Sequence, residues 1–249
     1  MKAIILAAGY ATRLYPLTKD KAKPLLHVGG KPMVEHIIGK IDELGVVDQV
    51  YIVTNEKFFS QFVEWDQRFT SPIPITVIND GTKSNEDRLG AIGDKMLVMD
   101  KMKIDDEILD ISGDNLFNFS LKEMYAFFKE KEAEIVGLYD VQDIEAAKKF
   151  GICAIDGEKK VVEFLEKPEK PPSTLASTGI YMYPKRTVGL FRKYLKEGNK
   201  PDAPGFFLEW LHKKETMYGY AFDDEDDRWY DIGSLEQYEA ANKDYEAKR

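Results

Sequence analysis

The chain has 249 residues and a formal net charge of −9, with 43% hydrophobic and 32% charged residues. That composition fits a soluble globular protein. No apolar run approaches the about 20 residues a membrane helix requires, the acidic balance leaves no basic stripe for nucleic acid, and the single cysteine, Cys153, allows no internal disulfide, which suits the cytoplasm.

The N-terminus, Met1-Lys2 followed by Ala3 to Ala8, has the outline of a signal sequence. Its short apolar run passes straight into Gly9-Tyr10-Ala11-Thr12-Arg13 with no cleavage site. Residues 2–8 therefore read as a strand buried on both faces. A loop with Gly9, Pro16 and Pro24 follows. Pro32 opens a helix whose apolar face carries Val34, Ile37, Ile38, Ile41 and Leu44, and Gly45 ends it. Residues 50–54 give a second strand, 58–65 a helix, 75–78 a strand and 90–98 a helix, for which Ser84 and Asp87 form a capping box. Residues 107–112 give a strand running into Gly113-Asp114-Asn115; 121–131 give a helix and 133–139 a strand. This βαβ order predicts a mostly parallel sheet with helices on both faces.

From about Gly151 short strands take over, at 151–156, 159–165 and 176–183, with a hairpin after Asp156-Gly157-Glu158. Helices return at 186–196, 205–213 and 234–247. The Pro-rich stretch 167–172 is an exposed loop, and the acidic block Asp223 to Asp227 a solvated one. His27, His36 and His212 are scattered singly and suggest no zinc site. The expected fold class is α/β: one domain over residues 1–249, with a Rossmann-like, mostly parallel sheet flanked by helices and a smaller lobe of mixed strands. A sub-lobe of residues 1–140 would bind nucleotide, and 141–249 the second substrate.

Residues 6–28 are the most informative segment. A turn of small residues directly after a buried strand lets backbone N–H groups of Ala8, Gly9, Tyr10, Ala11 and Thr12 approach phosphate oxygens. Arg13 can clamp phosphate with a two-pronged guanidinium, and Lys23 adds a point charge. No Gly-Lys-Ser/Thr ends the loop, so it is not a Walker A motif, and its glycines do not make a dinucleotide fingerprint. Asp114 stands at the carboxyl end of a strand, where ligands sit in open α/β sheets and where a carboxylate can hold Mg²⁺ against a phosphate.

Residues 6–28 resemble the signature of the sugar-nucleotide pyrophosphorylase family: Leu-Ala-Gly/Ala-Gly-x-Gly-Thr-Arg-Leu-x-Pro-Leu-Thr, then Pro-Lys-x-Leu-Leu. Ala11 stands where that family usually has its second glycine, and Ala22 precedes Lys23. The resemblance runs over roughly residues 2–245. It implies that Asp114, with Asp231 in Trp229-Tyr230-Asp231-Ile232-Gly233, completes a Mg²⁺ site, so the two aspartates should converge although 117 positions separate them. It also implies that Glu166 in Glu166-Lys167-Pro168 takes sugar hydroxyls and Lys167 the sugar phosphate. Gly151 in Phe150-Gly151-Ile152 and Thr178 in Thr178-Gly179-Ile180-Tyr181 would line the same pocket. The base-reading region, 79–93, departs most from the family and places Asn79, Arg88 and Gly90 near the nucleotide, with its base open.

The implied activity is Mg²⁺-dependent transfer of a nucleoside monophosphate from an NTP to a sugar 1-phosphate, with Arg13, Lys23 and Lys167 as the working cations. Small-molecule substrates are the implied partners, with no nucleic acid and no membrane, and a homo-oligomer is possible. Two alternatives stay open: the same chemistry on phosphocholine, with Tyr181, Tyr183, Trp229 and Tyr230 as an aromatic cage, and a non-catalytic sugar-nucleotide-binding regulator. The sequence lacks the left-handed β-helix of some relatives, so no acetyltransferase activity is expected.

Overall fold

A computed structural model describes residues 1–247; Lys248 and Arg249, the end of the expected domain, lie outside the described residues. In chain order it has β1 (Lys2–Leu6), β2 (His27–Val28), β3 (Lys31–Pro32), α1 (Met33–Leu44), β4 (Gln49–Thr54), α2 (Glu56–Asp66) and β5 (Ile75–Asn79). Next come α3 (Gly90–Lys101), β6 (Ile108–Ser112), β7 (Asn115–Phe117), α4 (Lys122–Lys131), β8 (Glu134–Asp140), α5 (Ile144–Ala147), β9 (Gly151–Ile155) and β10 (Val161–Glu166). The chain then forms β11 (Leu175–Tyr183), α6 (Thr187–Lys196), α7 (Pro204–Leu211), β12 (Met217–Phe222), β13 (Trp229–Asp231) and α8 (Leu235–Ala247). The fold is the expected α/β class, with parallel strands at its centre, mixed pairing elsewhere and helices on the flanks. No described helix is long and apolar enough to cross a membrane.

Two compact units emerge, and they do not follow the expected division at residue 140. The first contains residues 1–88, 111–121 and the C-terminal segment from Arg228; the second contains 89–110 and 122–227. Asp231 thus belongs with the N-terminal segment, and Gly90 with the second unit. The reason lies in a pairing invisible locally. β13 runs antiparallel to β7, with Asp231 opposite Asn115 and Trp229 opposite Phe117, and returns the C-terminus to the first unit.

In the first unit β1, β4 and β5 are parallel. Ala3, Ile4 and Ile5 of β1 are fully buried, as a strand covered on both faces requires. α1 buries Met33, Val34, Ile37, Ile38, Ile41 and Leu44, the stripe its periodicity predicts, and Gly45 ends it in a left-handed conformation. Asn55 caps α2 by accepting from the Phe58 N–H.

The helix that a capping box at Ser84 was expected to open does not start there. α3 starts at Gly90 with Leu89 before it, and no side chain caps it. Asp87 makes the box's return contact to the Ser84 N–H and also accepts from the Lys83 N–H, closing a loop that holds its carboxyl below the ordinary range.

In the second unit β11 pairs antiparallel with β8 and β9, β8 runs parallel to β12, and β9–β10 form the expected hairpin. Asp156 fixes that turn by accepting from the N–H groups of Glu158 and Lys160.

Candidate functional site

The loop after β1 is anchored from beneath. The Asn55 side chain donates to the Ala8 carbonyl at 2.9 Å while it caps α2, so one residue ties loop and helix together. Ala11 adopts φ 48°, a left-handed backbone that favours glycine. The cost for alanine is about 1–2 kcal/mol, and the Thr18 hydroxyl, donating to the Ala11 carbonyl at 2.7 Å, helps to hold it. Among the described residues, apart from its two chain neighbours, nothing lies within 4 Å of where a side chain on Gly9 would begin, so the loop is open above that residue. Tyr10 is buried, its hydroxyl 3.4 Å from that of Thr82, which in turn donates to Asp80.

Lys23 sits in a tight turn whose preceding amide, Ala22 N–H, donates to Gln61. Its ammonium donates to Asp114 at 2.9 Å. Gly113 precedes Asp114 and donates to the Leu6 carbonyl; a Cβ there would lie 2.6 Å from that oxygen, so only glycine lets the strand end close in. Loss of solvent pushes the Asp114 carboxyl up, but Lys23, with Arg13 farther off, pulls it further down. It therefore stays ionised below the ordinary carboxylate range.

The structure brings Asp231 beside Asp114. The Ile232 N–H donates to the Asp114 carbonyl at 3.1 Å, and Asp231 faces Asn115 across the β7–β13 pair. An Arg13 guanidinium nitrogen and an Asp231 carboxylate oxygen both lie 3.8 Å from the point where a Gly233 side chain would begin. Arg13, Lys23, Asp114 and Asp231 thus gather in the first unit from four separated segments.

Asn79 is spent locally, donating to Glu56 at 2.6 Å and accepting from the Gly81 N–H. Arg88 is exposed and donates to the Asn85 carbonyl. Gly90, in the second unit, has φ 78°, and a Cβ there would lie 2.6 Å from the Pro201 carbonyl oxygen, so its glycine is explained by packing.

The second unit holds Gly151, Glu166, Lys167 and Thr178. Glu166 ends β10 opposite Gly151, with its side chain 10% exposed. Burial raises its carboxyl, Lys167 lowers it and Glu209 raises it again; the net direction is up. Lys167 is open to solvent, its ammonium 3.8 Å from Glu166. A residue before proline favours an extended backbone, yet Lys167 has φ 49°, and its N–H donates to the Phe150 carbonyl. That bond continues the β9–β10 ladder by one step and overrides the local preference. Thr178 is fully buried and donates to the Gly137 carbonyl at 3.0 Å.

Two of the four aromatics of the supposed cage already face a cation of the chain itself. Tyr181 and Tyr183 are buried around the chain's own Lys95, whose ammonium is 5.3 and 5.9 Å from their rings. Trp229 donates to Asn115 and Tyr230 to Asp244.

Among the described residues no group of three or more His, Cys, Asp or Glu stands ready to hold a metal. Two carboxylates from neighbouring strand ends, one held ionised, form a hard oxygen donor set. They fit Mg²⁺, which usually takes one or two carboxylates and completes its shell with water and substrate phosphates. Asn55, Gln61 and Glu209 escaped the sequence reading, because each acts through a hydrogen bond to a residue distant in the chain.

A model of the nucleotidyl transferase family matches residues 2–248. The bifunctional protein GlmU of Methanocaldococcus jannaschii is 32% identical over 244 residues, 98% of this chain and 54% of that protein. The UTP–glucose-1-phosphate uridylyltransferase AglF of Haloferax volcanii is 32% identical over 183 residues, covering 74% of this chain and 72% of that one. A crystal structure of a Bacillus anthracis protein assigned as a glucose-1-phosphate thymidylyltransferase, solved with sucrose, superposes with a TM-score of 0.83. It is 27% identical, and the match covers 99% of this chain and 95% of that one. The chain thus spans about half the length of the first of these relatives (54%).

Proposed function

Because the chain belongs to the nucleotidyl transferase family, we propose that it transfers a nucleoside monophosphate from an NTP to a sugar 1-phosphate, giving an NDP-sugar and pyrophosphate. The observation that carries the reading is the gathering of Arg13, Lys23, Asp114 and Asp231 in the first unit. An oxygen of the acceptor phosphate attacks the α-phosphorus, the bond to the β-phosphate bridging oxygen breaks, and pyrophosphate leaves with the electron pair. No covalent enzyme intermediate is needed; positioning and charge compensation supply the catalysis.

The loop from Ala8 to Thr12 offers amides to the triphosphate, and Arg13 and Lys23 compensate the charge that builds on the leaving pyrophosphate. Asp114 and Asp231 are the residues that would hold Mg²⁺, which when bound neutralises phosphate charge. Lys167 pairs with the acceptor's phosphate, and Glu166, beside Gly151, accepts from its hydroxyls. Asn79, at the end of β5, and Arg88 belong to the segment that would read the base, and Gly90 opens α3. Thr178 supports the second unit from within the sheet.

The names of the similar proteins specify uridylyl and thymidylyl transfer to glucose 1-phosphate, so the test is a matrix. UTP, dTTP, CTP, ATP and GTP are each paired with several sugar 1-phosphates and with phosphocholine, and pyrophosphate release is scored with Mg²⁺ and with a chelator. The expected result is release in at least one NTP–sugar 1-phosphate pair, abolished by chelation. Release with phosphocholine alone, or with no pair, overturns the proposal.

A further inference from the structure

α7 grips Glu166 at two points. Glu166 is the last residue of β10, and its N–H donates to the Glu209 carboxylate at 2.7 Å. Gly205 lies one helical turn before Glu209 on the same face of α7. A Cβ on Gly205 would collide with the Glu166 carboxylate, lying only 2.7 Å from its carbon. On the other side, a Cβ on Gly151 would stand 3.1 Å from a Glu166 carboxylate oxygen. The carboxylate therefore occupies a slot between two residues without side chains, and the amide of the same residue is fixed by a charge-assisted hydrogen bond, the stronger kind.

This arrangement is electrostatically expensive. It brings a second carboxylate to the backbone of the first, and Glu209 pushes the Glu166 carboxyl up. A strand end that needed only a neutral acceptor would avoid the repulsion.

We propose that Glu209 is a positioning residue: by holding the Glu166 amide it fixes the aim of the Glu166 carboxylate toward the acceptor's hydroxyls. The inference rests on the assignment of Glu166 to the acceptor. Glu209 acts through Glu166, so its removal affects the acceptor and spares the nucleotide.

The test compares Glu209→Ala with Glu209→Gln in the full chain, using glucose 1-phosphate and the NTP that supports turnover. Loss of one charge-assisted hydrogen bond corresponds to about tenfold in affinity. Glu209→Ala is expected to raise the KM for glucose 1-phosphate about tenfold, with the NTP KM unchanged within about twofold. Glutamine keeps an oxygen that accepts the same N–H, so Glu209→Gln returns the KM to within about threefold of wild type. In parallel, the Glu166 amide resonance should move upfield and exchange faster in Glu209→Ala, and stay close to wild type in Glu209→Gln.

A wild-type KM in the alanine variant, equal losses in both variants, or an NTP KM that rises as far as the acceptor's overturns the proposal. If the wild-type chain turns over no acceptor, the proposed function has failed on its own. The amide signal then still decides the structural claim, and an unmoved Glu166 amide in Glu209→Ala overturns it.

Discussion

Lys23–Asp114 in the first unit and Lys95–Asp110 in the second join the same two side chains under opposite conditions. The first pair is 2.9 Å apart, with 9% of the lysine and 40% of the aspartate side chain exposed. The second is 2.5 Å apart with 0% and 1% exposed, and the Lys95 ammonium also stands 5.7 Å from the Phe191 ring. Asp114 is held below the ordinary carboxylate range by its lysine. Asp110 is pushed above it, because burial outweighs the pull of Lys95. The two aspartates are four residues apart in sequence. An ion pair with an open side can offer its remaining lone pairs to an arriving cation, whereas a sealed pair cannot exchange partners. Accessibility, more than the pairing itself, separates a candidate site from a piece of core.

The largest expected effect tests the open pair. Asp114→Asn and Asp231→Asn should each lower kcat by about 10³-fold, since a lost metal ligand removes several kcal/mol of transition-state stabilisation. The melting temperature should stay close to that of the wild type. Normal Mg²⁺-dependent kcat in either folded variant would remove that residue from the site and dissolve the contrast.

The sealed pair should behave the other way. Lys95→Met leaves Asp110 buried and uncompensated and should cost about 3–5 kcal/mol of stability by denaturant titration. Replacing both, Lys95→Met with Asp110→Leu, should recover most of that loss, because two apolar side chains need no desolvation of charge. A double variant that folds normally but has lost turnover would show that the sealed pair serves catalysis after all.

Arg13 sharpens the account of the open site. Arg13→Lys keeps the charge and loses the planar fork. It should lower kcat/KM by about tenfold to a hundredfold, almost as far as Arg13→Ala. Steady-state kinetics that show lysine restoring most of kcat/KM would reduce Arg13 to a point charge.

The first unit was largely legible in the sequence because its signals are local. The stripe of α1, the buried run of β1 and the Arg13 and Lys23 motif lie in continuous segments. The β7–β13 pairing was not, since each strand has only three residues and Asp231 finds Asn115 across more than a hundred positions. β12 also escaped, interrupted by Gly219, against which Leu138 and Ile155 pack. At Ser84 and Asp87 the correct residues were paired, but the pair closes a loop, and α3 starts only at Gly90. Glu209 carries no motif; its role depends on where α7 packs.

Lys167 gives the smallest stability effect and divides stability from binding. Its left-handed φ of 49° costs a non-glycine residue about 1–2 kcal/mol, and the following proline makes the conformation less natural still. Strain of this kind persists where surrounding structure enforces it, and it clusters at functional sites. Lys167→Ala keeps the strain and removes the ammonium. The KM for sugar 1-phosphate should rise about tenfold to a hundredfold, with stability nearly unchanged and the NTP KM within about threefold of wild type. Lys167→Gly loses the same ammonium but adopts the backbone freely, so it should be about 1 kcal/mol more stable than the alanine variant. For a chain of this size that is about 2–4 °C in Tm. Two glycine and alanine variants of equal stability would mean that the position stores no strain. Calorimetric titration settles the other half: if nucleotide binding collapses in both variants while sugar-phosphate binding survives, Lys167 serves the nucleotide, and the assignment of the acceptor to the second unit's residues is mistaken.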